Sequence, residues 1–343
     1  MRRFFPSFLK IESELPTSGI YVTTPLADLL EPSSAPRGLG EPDGTVRALT
    51  PNAFHVRAAQ DASIVVRRWG RDARQRVEAL GADVPLFYVI DDDVAAGRTD
   101  ETLPRGYRRR LNELYEGDFS ELLARAHRVC ASSDRLAEVL AQRVGHARVE
   151  LIQPSVLSPP AALDHHQADR LDILFPNTLS HYGDWQAIWP AIGEALVANP
   201  QMRLTTYLGR LGGQRRPADV THLTTRSWAQ FRSDLSNERF HIALLPALPT
   251  PFNAARSHNK LLECAAWGAV PVVSRNLPFS ALVEEHGSGI VCGDDPAEWR
   301  YALEMLRDQS VREELAAANT AFARRHGDPQ IMRRRWGEML GLD

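Results

Sequence analysis

The chain has 343 residues, 43% hydrophobic and 24% charged, with a formal net charge of −3. That length suits two domains of ordinary size, and the composition excludes disordered, collagen-like and disulfide-scaffold classes. No apolar run approaches the ~20 residues that span a bilayer, and the charge balance gives no reason to expect nucleic acid as a partner.

The first 60 residues carry weak signals. Arg2, Arg3, Phe4, Phe5 and Phe8 make the start basic and apolar, but Pro6 and Glu12 interrupt it, so it does not read as a signal peptide. A weak contact with a membrane surface is the alternative role for this segment. Ile20–Val22 and Val46–Leu49 read as strands, separated by a Pro/Gly/Ser loop over 31–44. From residue 63 onward, strand and helix patterns alternate. Ser63–Val66, Pro85–Ile90, Arg128–Ala131 and Val149–Ile152 read as short strands, with helices over 71–80, 104–126 and 133–143.

Residues 153–170 are proline-rich and unpatterned and read as a linker, within which His165 and His166 are expected to be solvated. The second half repeats the alternation. Strands are expected at 171–175, 203–208, 241–245, 270–274 and 289–292, and helices at 184–198, 228–235, 257–267, 278–285 and 296–307. Two further helices follow, over 311–325 and 329–340. Buried strands alternating with helices predict an α/β chain of two doubly wound, Rossmann-like domains. The boundaries expected are 1–152 and 171–327, with the linker between them and a C-terminal helix within 328–343. Ligands of such sheets lie beyond the carboxyl ends of the strands, which in a tandem pair points to the cleft between domains.

Cys130, Cys264 and Cys292 are far apart and in apolar surroundings, with no CxxC or Cys/His cluster. That pattern fits a reducing, cytoplasmic setting and gives no zinc site. Of the 40 basic residues only Lys10 and Lys260 are lysines, so the interior lysine attracts notice.

Lys260 lies in the most informative segment, His241–Ser274, which reads as strand, loop, helix, turn and strand. At 100° per residue, Lys260, Glu263 and Trp267 fall within an arc of roughly 60°, and Arg256 joins them if it is helical. A helix start offers free N–H groups and partial positive charge to a phosphate. Arg256 and Lys260 would add full charges for a diphosphate, and Glu263, one turn deeper, could accept from a ribose diol. Gly268 stands where the helix must end with positive φ. Spacing alone supports equally an ordinary surface Lys/Glu pair worth a few tenths of a kcal/mol.

Other candidates are weaker. Asp91, Asp92 and Asp93 end a predicted strand. Carboxylates in a row suit Mg²⁺ or Mn²⁺ beside a diphosphate, but only alternate residues of an extended run share a face. The favoured reading has one of them, Asp91, facing the cleft while the others cap the following loop, with no metal. His181 and Asp184 follow the first strand of the second half, where a histidine meets a phosphate or sugar hydroxyl, or else simply caps a helix. His55 is a further candidate. Arg210–Arg216 (RLGGQRR) either lines a phosphate pocket or forms a solvated turn. Arg108–Arg110 and Arg333–Arg335 read as solvated helix faces or contacts to an anionic surface. GxSxG, HExxH, P-loop and GxGxxG motifs are all absent.

The segment resembles the nucleotide-binding motif of GT-B glycosyltransferases of the GT4-like (glycosyltransferase group 1) family. The residues that carry the likeness are Phe252-Asn253, Arg256-Ser257, Lys260, Glu263, Gly268 and Pro271-Val272-Val273. Around them His241–Pro246, Ser288–Val291, Leu179–Asp184, Val89–Asp93 and Arg128–Asp134 resemble further family segments in the family's order.

The resemblance implies a GT-B architecture, two Rossmann-like domains facing each other across a cleft. It implies transfer of a sugar from a nucleotide-diphosphate sugar to an acceptor hydroxyl, with retention of configuration and with neither metal nor cofactor beyond the donor. Glu263 would bind the ribose and Arg256 and Lys260 the diphosphate, with Ser257 and Asn253 completing the nucleotide site. Arg256, Lys260, His181 and Asp91 would form the catalytic group. A glycan, glycolipid or protein acceptor and a cytoplasmic setting, with peripheral contact at the inner membrane, are implied with it, in bacterial glycan or surface polysaccharide assembly.

There are two departures. The family's longer motif has a glutamate where this chain has Ala255, and the glycine-rich loop of the first domain is not visible. They keep open a second expectation, a catalytically degenerate module that binds nucleotide or glycan, or scaffolds an assembly, without turnover.

Overall fold

The computed structural model describes residues 13–31, 44–209 and 219–342. The expectations for Arg2, Arg3, Phe4, Phe5, Phe8 and Arg210–Arg216 lie outside the described residues. Among the described residues the strands form two six-stranded sheets. The C-terminal sheet contains β7 (Leu171–Phe175), β8 (Met202–Thr206), β9 (Val220–His222), β10 (Ile242–Leu245), β11 (Val270–Ser274) and β12 (Ile290–Cys292). All neighbours are parallel, in the order β12-β11-β10-β7-β8-β9. The chain starts in the middle, winds outward one way, then returns and winds the other way. Strand order therefore reverses between β7 and β10, and such a reversal leaves a crevice beyond the strand ends. Helices cover both faces, with Trp185, Ile188, Trp299 and Leu303 on one and Leu261, Trp267, Val283 and Phe322 on the other.

The N-terminal sheet runs β1 (Thr45–Thr50), β2 (Ala53–Arg57), β3 (Ala62–Val66), β4 (Leu86–Ile90), β5 (Arg128–Ala131) and β6 (Val149–Leu151), neighbours in chain order. The first three strands pair antiparallel and the last four parallel. Right-handed crossovers that advance in one direction place their helices on one face. Val77, Leu111, Leu122 and Leu136 cover that face. The opposite face is closed by elements from the two ends of the chain. Ile20, Tyr21, Val22 and Leu26 pack there beside Met332, Trp336 and Leu340 of the helix Pro329–Leu340. The Trp336 indole donates to the Tyr21 carbonyl at 2.7 Å.

That packing explains one departure from expectation. Ile20–Val22, an apolar run that reads as a strand, is helical and buried. Pro16 opens a helical turn just before it, and burial on all sides removes the alternation that separates strand from helix. β2 and β9 were not expected from the sequence. Four of the five β2 residues are buried, so no alternation marks it, and β9 is only three residues long.

His165 and His166 are a correction, because they are not solvated. The first ring nitrogen Nε2 meets the Phe240 carbonyl at 3.0 Å and the second the Gly268 carbonyl at 2.8 Å, while His241 Nε2 reaches the His165 carbonyl at 2.8 Å. The expected linker thus docks on the C-terminal domain, where imidazole N–H groups satisfy carbonyls at its edge. Burial pushes His166 down to about 4. The unfolded chain, with an ordinary histidine, takes up a proton that the folded one refuses, so stability falls as pH drops from about 6.5 toward 4. Denaturant titrations at pH 7 and pH 5 are expected to show a loss of about 2 kcal/mol from this histidine alone. A His166→Gln variant should show a correspondingly flatter pH dependence.

Candidate functional site

The loop after β10 and the helix Asn259–Trp267 build one wall of the interdomain cleft. Gly268 ends that helix at φ 72°, in the left-handed conformation its position called for. In the loop, Phe252 and Ala255 leave their own domain and bury among Leu103, Leu111 and Phe119 of the other. Gly97 makes room for this insertion, since a Cβ there would stand 2.7 Å from the Phe252 ring. Ser133 Oγ donates to the Ala255 carbonyl at 2.7 Å and caps its own helix at the same time.

A cavity of about 520 Å³ lies beside this seal, within the range of small-molecule sites. Its C-terminal wall includes Asn177, His181, Tyr207, Arg226, Trp228, Phe231, Arg256, Lys260 and Glu263. Glu14, Thr17, Arg67, Asp91, Asp92 and Tyr107 come from the N-terminal side. Asn177 and His181 follow β7 and Pro246 follows β10, so the cavity and its smaller annex sit at the switch point.

The charged groups form a connected chain across the two domains. Asp92 is 4% exposed and accepts from Arg67 Nη1 at 2.8 Å, Arg256 Nη1 at 3.0 Å and the Tyr107 hydroxyl at 3.3 Å. Burial alone would raise its carboxyl, but Arg67 and Arg256 hold it below the usual carboxylate range. Arg256 Nη2 also reaches His181 Nε2 at 3.2 Å, and the guanidinium lies 4.5 Å over the Phe252 ring. His181 Nδ1 meets Asp184 Oδ2 at 2.9 Å. The other oxygen of Asp184 accepts from Leu248 N at 2.8 Å and Asn253 Nδ2 at 3.1 Å. Burial and the neighbouring Arg256 push the His181 ring below the ordinary histidine range.

Lys260 Nζ meets Glu263 Oε2 at 2.7 Å and lies 5.7 Å from the Phe231 ring centre. Asn259 Nδ2 donates to the other Glu263 oxygen at 3.4 Å. The structure thus brings Arg256, Lys260, Glu263, His181 and Asp91 to one cavity. Ser257 and Asn253 line the adjoining annex of about 90 Å³. Ser257 Oγ shares a hydrogen bond with the Tyr21 hydroxyl at 2.8 Å. Asn253 uses its amide on Asp184 and the Leu248 carbonyl, which fixes the loop.

Of the acidic run, Asp91 faces the cleft and Asp93 caps the turn that follows, accepting from Ala96 N at 3.0 Å. Asp92 does not cap the loop as expected, because two arginines claim it. Burial and the adjacent Asp92 raise Asp91, whose Oδ2 accepts from Thr17 at 2.6 Å while Oδ1 is buried without a hydrogen-bond partner. His55 pairs instead with Asp61 at 3.0 Å and lines neither cavity. Among the described residues, no group of three or more His, Cys, Asp or Glu is placed to hold a metal ion.

Sequence reasoning missed Arg67, Tyr107 and Thr17. Arg67 has φ 61°, a conformation that costs a non-glycine residue of order 1 kcal/mol and that clusters at functional sites. The available signal was its place directly after β3, at a strand's carboxyl end.

No family model matches the chain, and no curated protein matches its sequence. Solved structures do. HepE from Anabaena, solved with UDP and glucose, superposes with a TM-score of 0.54 at 16% identity over 78% of this chain and 76% of its own. Sucrose-phosphate synthase from Thermosynechococcus elongatus gives 0.51 at 13% identity over 78% and 71%. The UDP-forming α,α-trehalose-phosphate synthase from Burkholderia vietnamiensis gives 0.50 at 12% over 78% and 69%. The chain adopts the GT-B fold of glycosyltransferases.

Removing a partner from a buried ion pair leaves an uncompensated charge. Asp92→Asn should therefore lower the unfolding free energy by about 3 kcal/mol, read from urea denaturation, with Arg256 losing its anion and Arg67 keeping only the longer contact to Asp91 at 3.7 Å.

Proposed function

We propose that this protein transfers a sugar from a nucleotide-diphosphate sugar to an acceptor hydroxyl, with retention of configuration and without a metal. The observation that carries the reading is the convergence of Arg256, Lys260 and Glu263 on one interdomain cavity at the switch point. When the bond to the sugar breaks, negative charge builds on the departing diphosphate, and preorganised positive groups lower that barrier most. Arg256, Lys260 and the free N–H groups at the start of the helix Asn259–Trp267 supply them. Glu263 turns its two oxygens to the ribose diol, exchanging Asn259 for the ligand. Asp91, whose Oδ1 makes no hydrogen bond and faces Arg67 Nη1 only at 3.7 Å, accepts from the incoming hydroxyl. Phe252 and Ala255, buried in the N-terminal core, close one side of the cavity against water.

The donor serves as substrate, and no cofactor is needed besides it. The acceptor is a glycan, glycolipid or protein, and no nucleic acid is involved. The proposed setting is bacterial glycan or surface polysaccharide assembly in the cytoplasm, with peripheral contact at the inner membrane. No helix among the described residues is long and apolar enough to cross a membrane. Buried Ala255 offers no polar side chain to a donor sugar, which is the one observation on the side of a non-catalytic binding module.

Calorimetric titration of the wild type and Glu263→Ala with UDP, GDP, dTDP and CDP tests the site. Micromolar binding of one nucleotide, weakened at least about tenfold by the substitution, is expected, a loss of about 1.4 kcal/mol. No binding by any of the four to the folded wild type overturns the reading. Binding with no donor consumed across a broad acceptor panel selects the non-catalytic module.

A further inference from the structure

His181 is held in one tautomer by its partners. A guanidinium only donates, so the Nε2 that meets Arg256 Nη2 at 3.2 Å must present a lone pair. The proton therefore sits on Nδ1 and is donated to Asp184 Oδ2 at 2.9 Å, leaving the ring neutral. A second proton on Nε2 would break the Arg256 contact and set two cations side by side.

The surrounding charges are already matched. Arg67 and Arg256 share Asp92, and Lys260 is bound to Glu263. Asp184 stands behind the ring on its own helix, Arg256 and Lys260 face it from the loop and helix after β10, and Asp92 faces it from the end of β4, with Asp91 beside that residue. A diphosphate thus enters a cavity whose cations are largely neutralised, with an imidazole on its wall that can still add a charge.

We propose that His181 takes up a proton when the diphosphate arrives and then donates a hydrogen bond from Nε2 to it, acting as a catalytic residue on the leaving group. This rests on the reading of the cavity as a nucleotide-diphosphate site. Anionic phosphate oxygens compete for Arg256 better than a neutral imidazole lone pair, because they add charge–charge attraction and can take the guanidinium fork in a bidentate pair. Once Arg256 turns to the phosphate, Nε2 is free, the added negative charge favours the imidazolium, and Asp184 stabilises it from behind. The proton comes from solvent on binding and returns to solvent when the nucleotide leaves, with no covalent bond to the protein.

The test is calorimetric titration with the glucose esters of UDP, GDP, dTDP and CDP, in buffers of different ionisation heat. The phosphates of these diesters do not titrate near neutrality, so proton uptake belongs to the protein. Close to one proton taken up at pH 7 is expected, with affinity falling about tenfold per pH unit above it, the slope for one proton. His181→Gln keeps a donor for Asp184 and an acceptor for Arg256 but cannot be charged. It should bind with uptake near zero and a flat pH profile, whereas Asp91→Asn should keep the uptake. Binding without uptake by the wild type, or uptake that survives in His181→Gln, overturns the proposal and leaves the nucleotide site standing. No binding of any ester by the folded wild type removes both. If His181→Gln does not fold, proton NMR of the His181 ring in the wild type decides. Its titration should move to higher pH in the complex, and an unmoved titration overturns the proposal.

Discussion

The site depends on one buried anion. Asp92, at the end of β4, holds Arg67 from its own domain and Arg256 from the other. Among the described residues Arg256 has no other carboxylate partner there and Arg67 only the more distant Asp91 at 3.7 Å, and a buried charge must be paired. The pair also sets the distance between the two sheets at the point where their strand ends face each other. From Arg256 the constraint passes to His181, from His181 to Asp184, and from Asp184 to the backbone at Leu248 and the side chain of Asn253. A single carboxylate on one domain thus orders the loop that carries the most informative motif on the other.

The two domains are also joined covalently and by exchange of core residues. Phe252 and Ala255 complete the N-terminal core, and the helix Pro329–Leu340 covers the N-terminal sheet's second face. That face needs such a cover because crossovers that all advance in one direction leave it bare. The C-terminal domain, wound both ways from β7, covers both faces of its own sheet. Arg256, Lys260 and Glu263 all sit on this domain, while the N-terminal side contributes Asp92, the counter-charge of Arg256.

Local spacing explains what the sequence made legible. Lys260 and Glu263 lie three residues apart on one helix, and Gly268 marks its end, so their relation survives any tertiary arrangement. The helices and, apart from the three-residue β9, the parallel strands of the second half are readable for the same reason. What remained hidden involves partners far apart in the chain. Asp92 meets a residue 164 positions away, and nothing near Arg256 or Asp92 in sequence announces it. His165 and His166 look like linker polar residues until the strand edges that need their N–H groups are in place. Ile20–Val22 carries β-branched residues, yet its helical form follows from Pro16 before it and from the cover supplied by Trp336, 315 residues after Tyr21.

The chain's preference for arginine takes on physical meaning at this site. Arg256 acts in three directions at once, on Asp92, on His181 and over the face of Phe252, which a planar guanidinium can do and a compact ammonium cannot. Lys260 has a different task. It is a point charge on a flexible stem, held between the Glu263 carboxylate and the Phe231 ring. Its ammonium can leave the glutamate without breaking a fixed, multi-point geometry. A chain that writes nearly all its positive charge as arginine therefore places its one described lysine between a single carboxylate and a ring, and an arginine where one group meets Asp92, His181 and Phe252 together.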